Sequence, residues 1–161
     1  MKGISNRSEK VAFFGIDSSF TEFTRMRGFT EFSLSKNPVE YSRRYIDEKS
    51  ERNEVVAFEP TITYSFDKFS DDEVHQDIIN ITDMEKIGVD SIRHIVIVDL
   101  SGDSREKKAT MRKWYVIPDT EGNDADTYTY SGTLRACSEI LVGTASSDDN
   151  WFTCTFTATD E

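Results

Sequence analysis

Pro38-Val-Glu-Tyr-Ser-Arg-Arg-Tyr-Ile-Asp-Glu48, then Lys49-Ser-Glu-Arg-Asn-Glu54, then Val55-Val-Ala-Phe-Glu-Pro-Thr-Ile-Thr-Tyr-Ser-Phe-Asp-Lys-Phe69 follow one another without a break in the first half of a 161-residue chain. Val39, Tyr41, Arg43 and Tyr45 share one face of an extended segment, and Ile62, Tyr64 and Phe66 share one face of another. Recurrence of β-branched and aromatic residues at every second position is the pattern of a strand, because a helix repeats at 3.6 residues. The stretch therefore reads as a long antiparallel pair joined by a polar arm. That arm, Asp47, Glu48, Lys49, Ser50, Glu51, Arg52, Asn53 and Glu54, is too charged to enter a core. A loop not buried in its own subunit is available to a partner.

Upstream, Phe29–Lys36 reads as a strand ended by the Asn37-Pro38 turn, and residues 1–28 as an N-terminal arm with one short strand in the apolar Val11–Ile16 run. Downstream, Ser70-Asp-Asp-Glu73 has the form of a capping box with Ser70 as N-cap. It opens a helix whose Val74, Ile78, Ile81, Met84 and Ile87 recur at helical spacing before Gly88. Ile92–Val98 is a strongly apolar strand, and Ala109–Ile117 alternates as another. Tyr128–Val142 is too long for one strand, which places a bend at Gly132. Trp151–Thr157 closes the chain after the Ala145–Asn150 turn. About eight strands in hairpin order with one helix predict a mainly β chain, an antiparallel sandwich or barrel with the helix packed against it, as one domain over 1–161.

Composition narrows the function. Nineteen Lys and Arg face thirty Asp and Glu, a formal charge of −11, which excludes a protein that grips phosphates with a basic surface. The N-terminus carries no apolar run of signal-sequence length and no stretch approaches the ~20 apolar residues of a membrane span, so cytosolic assembly without a membrane is expected. Cys137 and Cys154 then stay as thiols, placed on separate strands that a final hairpin could bring near each other. No cofactor, metal or catalytic residue is expected. His75 and His94 have no Cys nearby to complete a zinc site. Asp119, Glu121, Asn123, Asp124 and Asp126 offer oxygens for calcium, but their spacing fails the EF-hand pattern. Asp71, Asp72, Glu73 and Asp77 are explained by the acidic first turn of a helix. Three classes remain: a self-assembling structural subunit, a binding module whose Trp114, Tyr115, Tyr128, Tyr130 and Trp151 supply stacking faces, and a small β-barrel enzyme using His75 or His94.

The Val39–Glu48 strand, the Pro-containing Phe58–Phe66 strand, the acidic and apolar helix, Ile92–Val98, Trp114-Tyr-Val-Ile-Pro118 and the Tyr128–Ala136 strand together resemble the major tail tube proteins of long-tailed, siphovirus-type bacteriophages of Gram-positive bacteria. The resemblance covers residues 38–140. It implies a sandwich or barrel with one helix, six copies closing into a ring, and rings stacked into a tail tube through which DNA is ejected without specific binding. It further implies the tail terminator, the tail-tip proteins and a tape-measure protein in the lumen as partners, with the virion tail, assembled in the host cytoplasm, as location. The loop from Glu48 to Glu54 would bridge stacked rings. A tube subunit of a contractile tail or of a phage-like bacteriocin particle is similar to this pattern too.

Overall fold

A computed structural model describes residues 9–15, 22–101, 104–122 and 125–159. It is mainly β, with eleven strands and one α-helix among those residues. The strands are β1 (Lys10–Gly15), β2 (Phe23–Arg25), β3 (Phe29–Ser35), β4 (Pro38–Arg43), β5 (Arg52–Phe58) and β6 (Thr61–Asp67). Helix α1 (Glu73–Asp83) follows, then β7 (Ile92–Asp99), β8 (Lys107–Glu121), β9 (Thr129–Ala136), β10 (Leu141–Ser146) and β11 (Thr153–Ala158).

All pairings are antiparallel, in the order β10-β11-β2-β1-β7-β8-β9-β6-β3, and β10 also pairs with β8. That extra pairing closes β8, β10, β11, β2, β1 and β7 into a barrel. The fifteen-residue β8 makes this possible by dividing one of its edges. Lys107–Met111 bonds to β10, and Trp114–Glu121 bonds to β9. From there β9, β6 and β3 continue as a flap.

Two apolar clusters follow from the two faces of the barrel wall. Phe13, Phe23, Val96, Val98, Ala109, Ala145 and Cys154 fill its interior. Alternate residues of the same strands, Phe14, Ile95 and Trp114, point outward and meet Ile62, Tyr64, Phe66 and Leu134 of the flap and Val74, Ile78 and Ile81 of α1. Each fully buried side chain of this size contributes about 1.5–3 kcal/mol, so the helix is held by its apolar stripe.

The reading of residues 38–69 requires correction. Val39–Arg43 does pair antiparallel, but with Arg52–Ala57, not with Ile62–Phe66. Ile62–Phe66 pairs instead with Phe29–Leu34 on one side and Tyr130–Leu134 on the other. The reason lies at the buried Pro60, which has no N–H to donate, and at Asn37, whose φ of 46° turns the chain. Glu59 N donates to Asn37 O and the Asn37 side chain donates to Glu59 O and Thr61 Oγ1. One long hairpin from Phe29 to Asp67 is thus kinked in the middle, and its outer half forms a separate two-stranded sheet.

Residues 1–28 are not simply an arm. Met1–Ser8 and Ile16–Thr21 lie outside the described residues, but β1 is inserted between β2 and β7, and Phe13 and Phe14 are fully buried. Asp72, not Ser70, caps the helix, accepting from Val74 N and His75 N. The helix ends at Asp83, so Met84 and Ile87 leave the stripe and are exposed. β9 runs straight through Gly132 and the chain breaks after Ala136 instead. Gly132 is required for space: a Cβ there would sit 2.5 Å from Ile117 O and 2.7 Å from the Tyr64 hydroxyl. Pro118–Glu121, beyond the Ala109–Ile117 strand expected from the alternation, extends β8 past a bulge. Cys154 pairs with Phe23 inside the barrel while Cys137 N donates to Lys113 O, so the two thiols are apart and free.

Candidate assembly surface

Every residue of β4 and β5 is exposed, in contrast to the buried alternation of neighbouring β6. The turn that joins them carries Ile46 fully exposed. Of the sequence-derived loop, Asp47–Glu51 occupy this turn, whereas Arg52, Asn53 and Glu54 belong to β5 and the loop begins at Arg44. Local bonds set its shape. Arg52 forms a two-point ion pair with Glu48, Nη2–Oε1 at 2.6 Å and Nε–Oε2 at 2.8 Å, and Ser42 Oγ donates to Asn53 Oδ1 at 2.5 Å. One face, through Tyr41↔Glu54 and Arg43↔Arg52, stacks Arg43 against Tyr41 and Arg52 against Tyr45 at 5.8 and 5.7 Å. Val39, Tyr41, Tyr45, Val55, Val56 and Phe58 are all exposed large apolar side chains here. A two-stranded ribbon is marginal alone, and contiguous exposed apolar area marks a contact surface. The charge content of the loop was legible in sequence. The apolar content of its stem was masked, because Val55–Phe58 reads equally well as core strand.

A second surface emerges from the register of the flap. Three cross-strand rows run Glu31, Ser65, Ser131, Thr120; Ser33, Thr63, Thr133, Ile117; and Ser35, Thr61, Arg135, Tyr115. Their neighbours Phe32, Tyr64 and Leu134 face the core, so these rows lie on the other face of β3, β6, β9 and β8. Eight of the twelve positions are Ser or Thr, and only Glu31 and Arg135 are charged. In a chain where 30% of residues are charged, this is a sparsely charged, hydroxyl-bearing face. The outer edge of β3 has no strand partner among the described residues.

The residues weighed for chemistry are dispersed. His75 is fully buried, stacked on Phe66 at 4.4 Å, with Nδ1 accepting from Phe69 N at 3.0 Å and Nε2 2.5 Å from Arg27 O. Burial holds its pKa below the usual 6.5, keeping the ring neutral. His94 lies on β7, its pKa lowered by burial and by Lys113 and Arg93. Asp77 is tied to Arg93 at 2.7 Å, and Asp72 is committed to the helix cap. Asp119 and Glu121 are in β8, while Asn123 and Asp124 lie outside the described residues. Among the described residues no three His, Cys, Asp or Glu side chains converge as a metal site. Trp114 and Tyr130 are core, Tyr128 is exposed, hydrogen-bonded to Glu121 and packed edge-on against Tyr130 at 5.2 Å, and Trp151 packs on Phe13.

A cleft of about 560 Å³ lies where α1 ends against β8, lined by Glu85, Ile87, Ile117, Asp119 and Glu121 among others. Met84, Ile87 and Val89 are prominently exposed beside it.

No family model matches the chain, and no curated protein matches it. Its fold is shared with a chain in the cryo-electron microscopy structure of the anti-feeding prophage (AFP) baseplate, 6-fold symmetrised. The two align over 88% of this chain and 97% of that one, with a TM-score of 0.55 and 11% identity.

Proposed function

We propose that this chain is a non-catalytic structural subunit of a bacteriophage-type tail, self-assembling into hexameric rings that stack into a tube for DNA passage. The observation that carries the reading is the β4–β5 hairpin, a two-stranded sheet exposed along its whole length that presents large apolar side chains to solvent. A monomer gains nothing from such an element, and identical neighbours that cover it do. The open edge of β3 adds to this, because closing a ring pairs an edge that is otherwise an aggregation hazard. The fold shared with a chain of a 6-fold symmetrised baseplate supports the same assembly class.

The hydroxyl-bearing face of the flap suits the lumen. Ser33, Thr63, Ser131 and Thr133 offer hydrogen bonds that water satisfies equally well, and a net charge of −11 repels phosphate, so a passing polyanion meets little adhesion. The tail terminator, tail-tip and tape-measure proteins are the partners such a tube requires. Residues Asp47–Glu54 then act at the ring-to-ring contact by position and shape; exposed ion pairs there give only ~0–1 kcal/mol each. Negative-stain microscopy of concentrated protein tests the reading: rings or tubes support it, and solitary particles at every concentration reject it.

A further inference from the structure

We propose that His75 is an acid-sensitive bolt. With its ring neutral it holds together two connections of the flap, Met26–Gly28 leading into β3 and Lys68–Asp72 leading from β6 into α1, and a proton at Nδ1 releases the second of them. The device is local to the subunit and does not depend on whether copies assemble.

The geometry fixes the proton of the neutral ring. Phe69 N–H can only donate, so its 3.0 Å contact makes Nδ1 an acceptor and leaves the single ring proton on Nε2, which donates to Arg27 O at 2.5 Å. One side chain thus closes both connections at once. Asp67 N donates to Gly28 O across the same gap. Gly28, with φ of 76°, makes the approach possible: a Cβ there would lie 2.9 Å from the Phe69 ring and 3.0 Å from His75 Cε1. The imidazole is packed among Phe66, Phe69 and Phe29, with ring centroids at 4.4, 5.1 and 5.6 Å.

A proton at Nδ1 converts that acceptor into a second donor facing Phe69 N–H. Two donors cannot share the contact, and a part-buried amide is left without its acceptor. The charged groups facing the ring are divided. Asp72 at the cap and Asp67 at the end of β6 favour the imidazolium, the Arg27 guanidinium opposes it, and burial opposes it most. Asp72 is already engaged by Val74 N and His75 N, with Arg27 3.6 Å from its other oxygen, and cannot turn to the ring without uncapping the helix. The closed bolt therefore excludes the proton, whereas an opened one takes it up at the ordinary pKa of 6.5. Closure is at full strength above pH 6.5 and weakens as pH falls toward the lowered folded value. Between pH 7.5 and 5.5 the open form gains up to about tenfold on the closed one.

Hydrogen exchange of the full chain at pH 7.5 and 5.5, with each rate divided by the intrinsic rate at that pH, tests the device. The Phe69 amide is expected to be less protected than the β7–β8 ladder at both pH values, and to lose a further factor of about three to ten at pH 5.5. Unchanged protection of Phe69 overturns the proposal. So does protection equal to that of the ladder, which would mean that only global unfolding frees the ring. His75→Asn, with unchanged circular dichroism, should abolish the pH effect on Phe69, and persistence of the effect in the folded variant overturns the assignment to His75. Nitrogen NMR of the unaltered chain gives a readout that needs no variant. At pH 7.5 the ring should carry its proton on Nε2, and the Nδ1 and Phe69 amide resonances should titrate with one midpoint below 6.5. A proton on Nδ1, or two separate midpoints, overturns the proposal. Failure in any arm leaves the tail-subunit reading standing, because none of these measurements reads oligomeric state.

Discussion

Replacing Pro38–Phe58 by the dipeptide Asn-Gly removes the projecting half of the long hairpin and leaves its base closed at Asn37 and Glu59, which already exchange hydrogen bonds. The deleted strands are exposed at every residue and contribute no side chain to either apolar cluster. The loss in subunit stability from packing is therefore close to nothing. Shortening the connection roughly tenfold removes about 2 kcal/mol of loop-closure entropy if the outer ribbon is loosely held. A type I′ Asn-Gly turn also matches the twist of the flanking strands. The expected outcome is a subunit of unchanged or higher stability, with Tm raised by at most several degrees at ~2–4 °C per kcal/mol. Thermal denaturation by circular dichroism measures this, and sedimentation velocity at high concentration measures assembly, which should be abolished. A Tm lowered by ten degrees would show that the ribbon belongs to the core. Tubes formed as readily as by the intact chain would show that it is not an assembly element.

Asp72→Ala removes an N-cap that accepts from two backbone N–H groups and lies 3.6 Å from Arg27; a loss of about 1–2 kcal/mol in urea denaturation is expected, and Ser70→Ala should have much less effect. Because burial lowers the pKa of His75 below 6.5, the unfolded chain binds its proton first as pH falls. Stability from this group is complete above pH 6.5 and is lost as pH drops from there toward the folded pKa. Urea midpoints at pH 7.5 and 5.5 should therefore differ, and His75→Asn should flatten that difference; an equal slope in both proteins would shift the effect to His94, whose pKa is lowered in the same direction. Burial inside the barrel pushes the Cys154 thiol up to about 12, so Ellman's reagent should modify Cys137 in the folded protein and reach Cys154 only after unfolding. Rapid reaction of both thiols would show that the barrel opens readily.

The features legible in the sequence are those with strict local periodicity. The alternation in Ile62–Phe66 and the apolar run of Ile92–Val98 gave strands, and Val74, Ile78 and Ile81 gave the buried stripe of α1. What was not legible depended on partners far along the chain. Val11–Gly15 contains residues for both faces of a wall that is buried on both, so it has no polar side to reveal it as central; only the pairing with β7 does. Gly132 looks like a bend from local rules, yet it is needed because the Tyr64 hydroxyl and Ile117 O close over it from neighbouring strands. Ser70 and Asp72 both offer capping oxygens. Asp72 wins because its cap starts the helix where Val74 and Ile78 meet the core and Arg27 faces its second oxygen. The charged loop was visible as a run of Glu, Lys and Arg, but the hydroxyl rows of the flap exist only across strands and have no signature along any one of them.

Under the proposed function, identical copies complete the exposed ribbon and the open edge of β3. Electron microscopy of the full chain across a concentration series, with image averaging of any oligomer, tests it most directly. Six-fold rings that stack axially, with the β4–β5 hairpin buried at each ring-to-ring contact, are expected. Particles of single-chain mass throughout the series, or an assembly in which the hairpin projects freely into solvent, would contradict it.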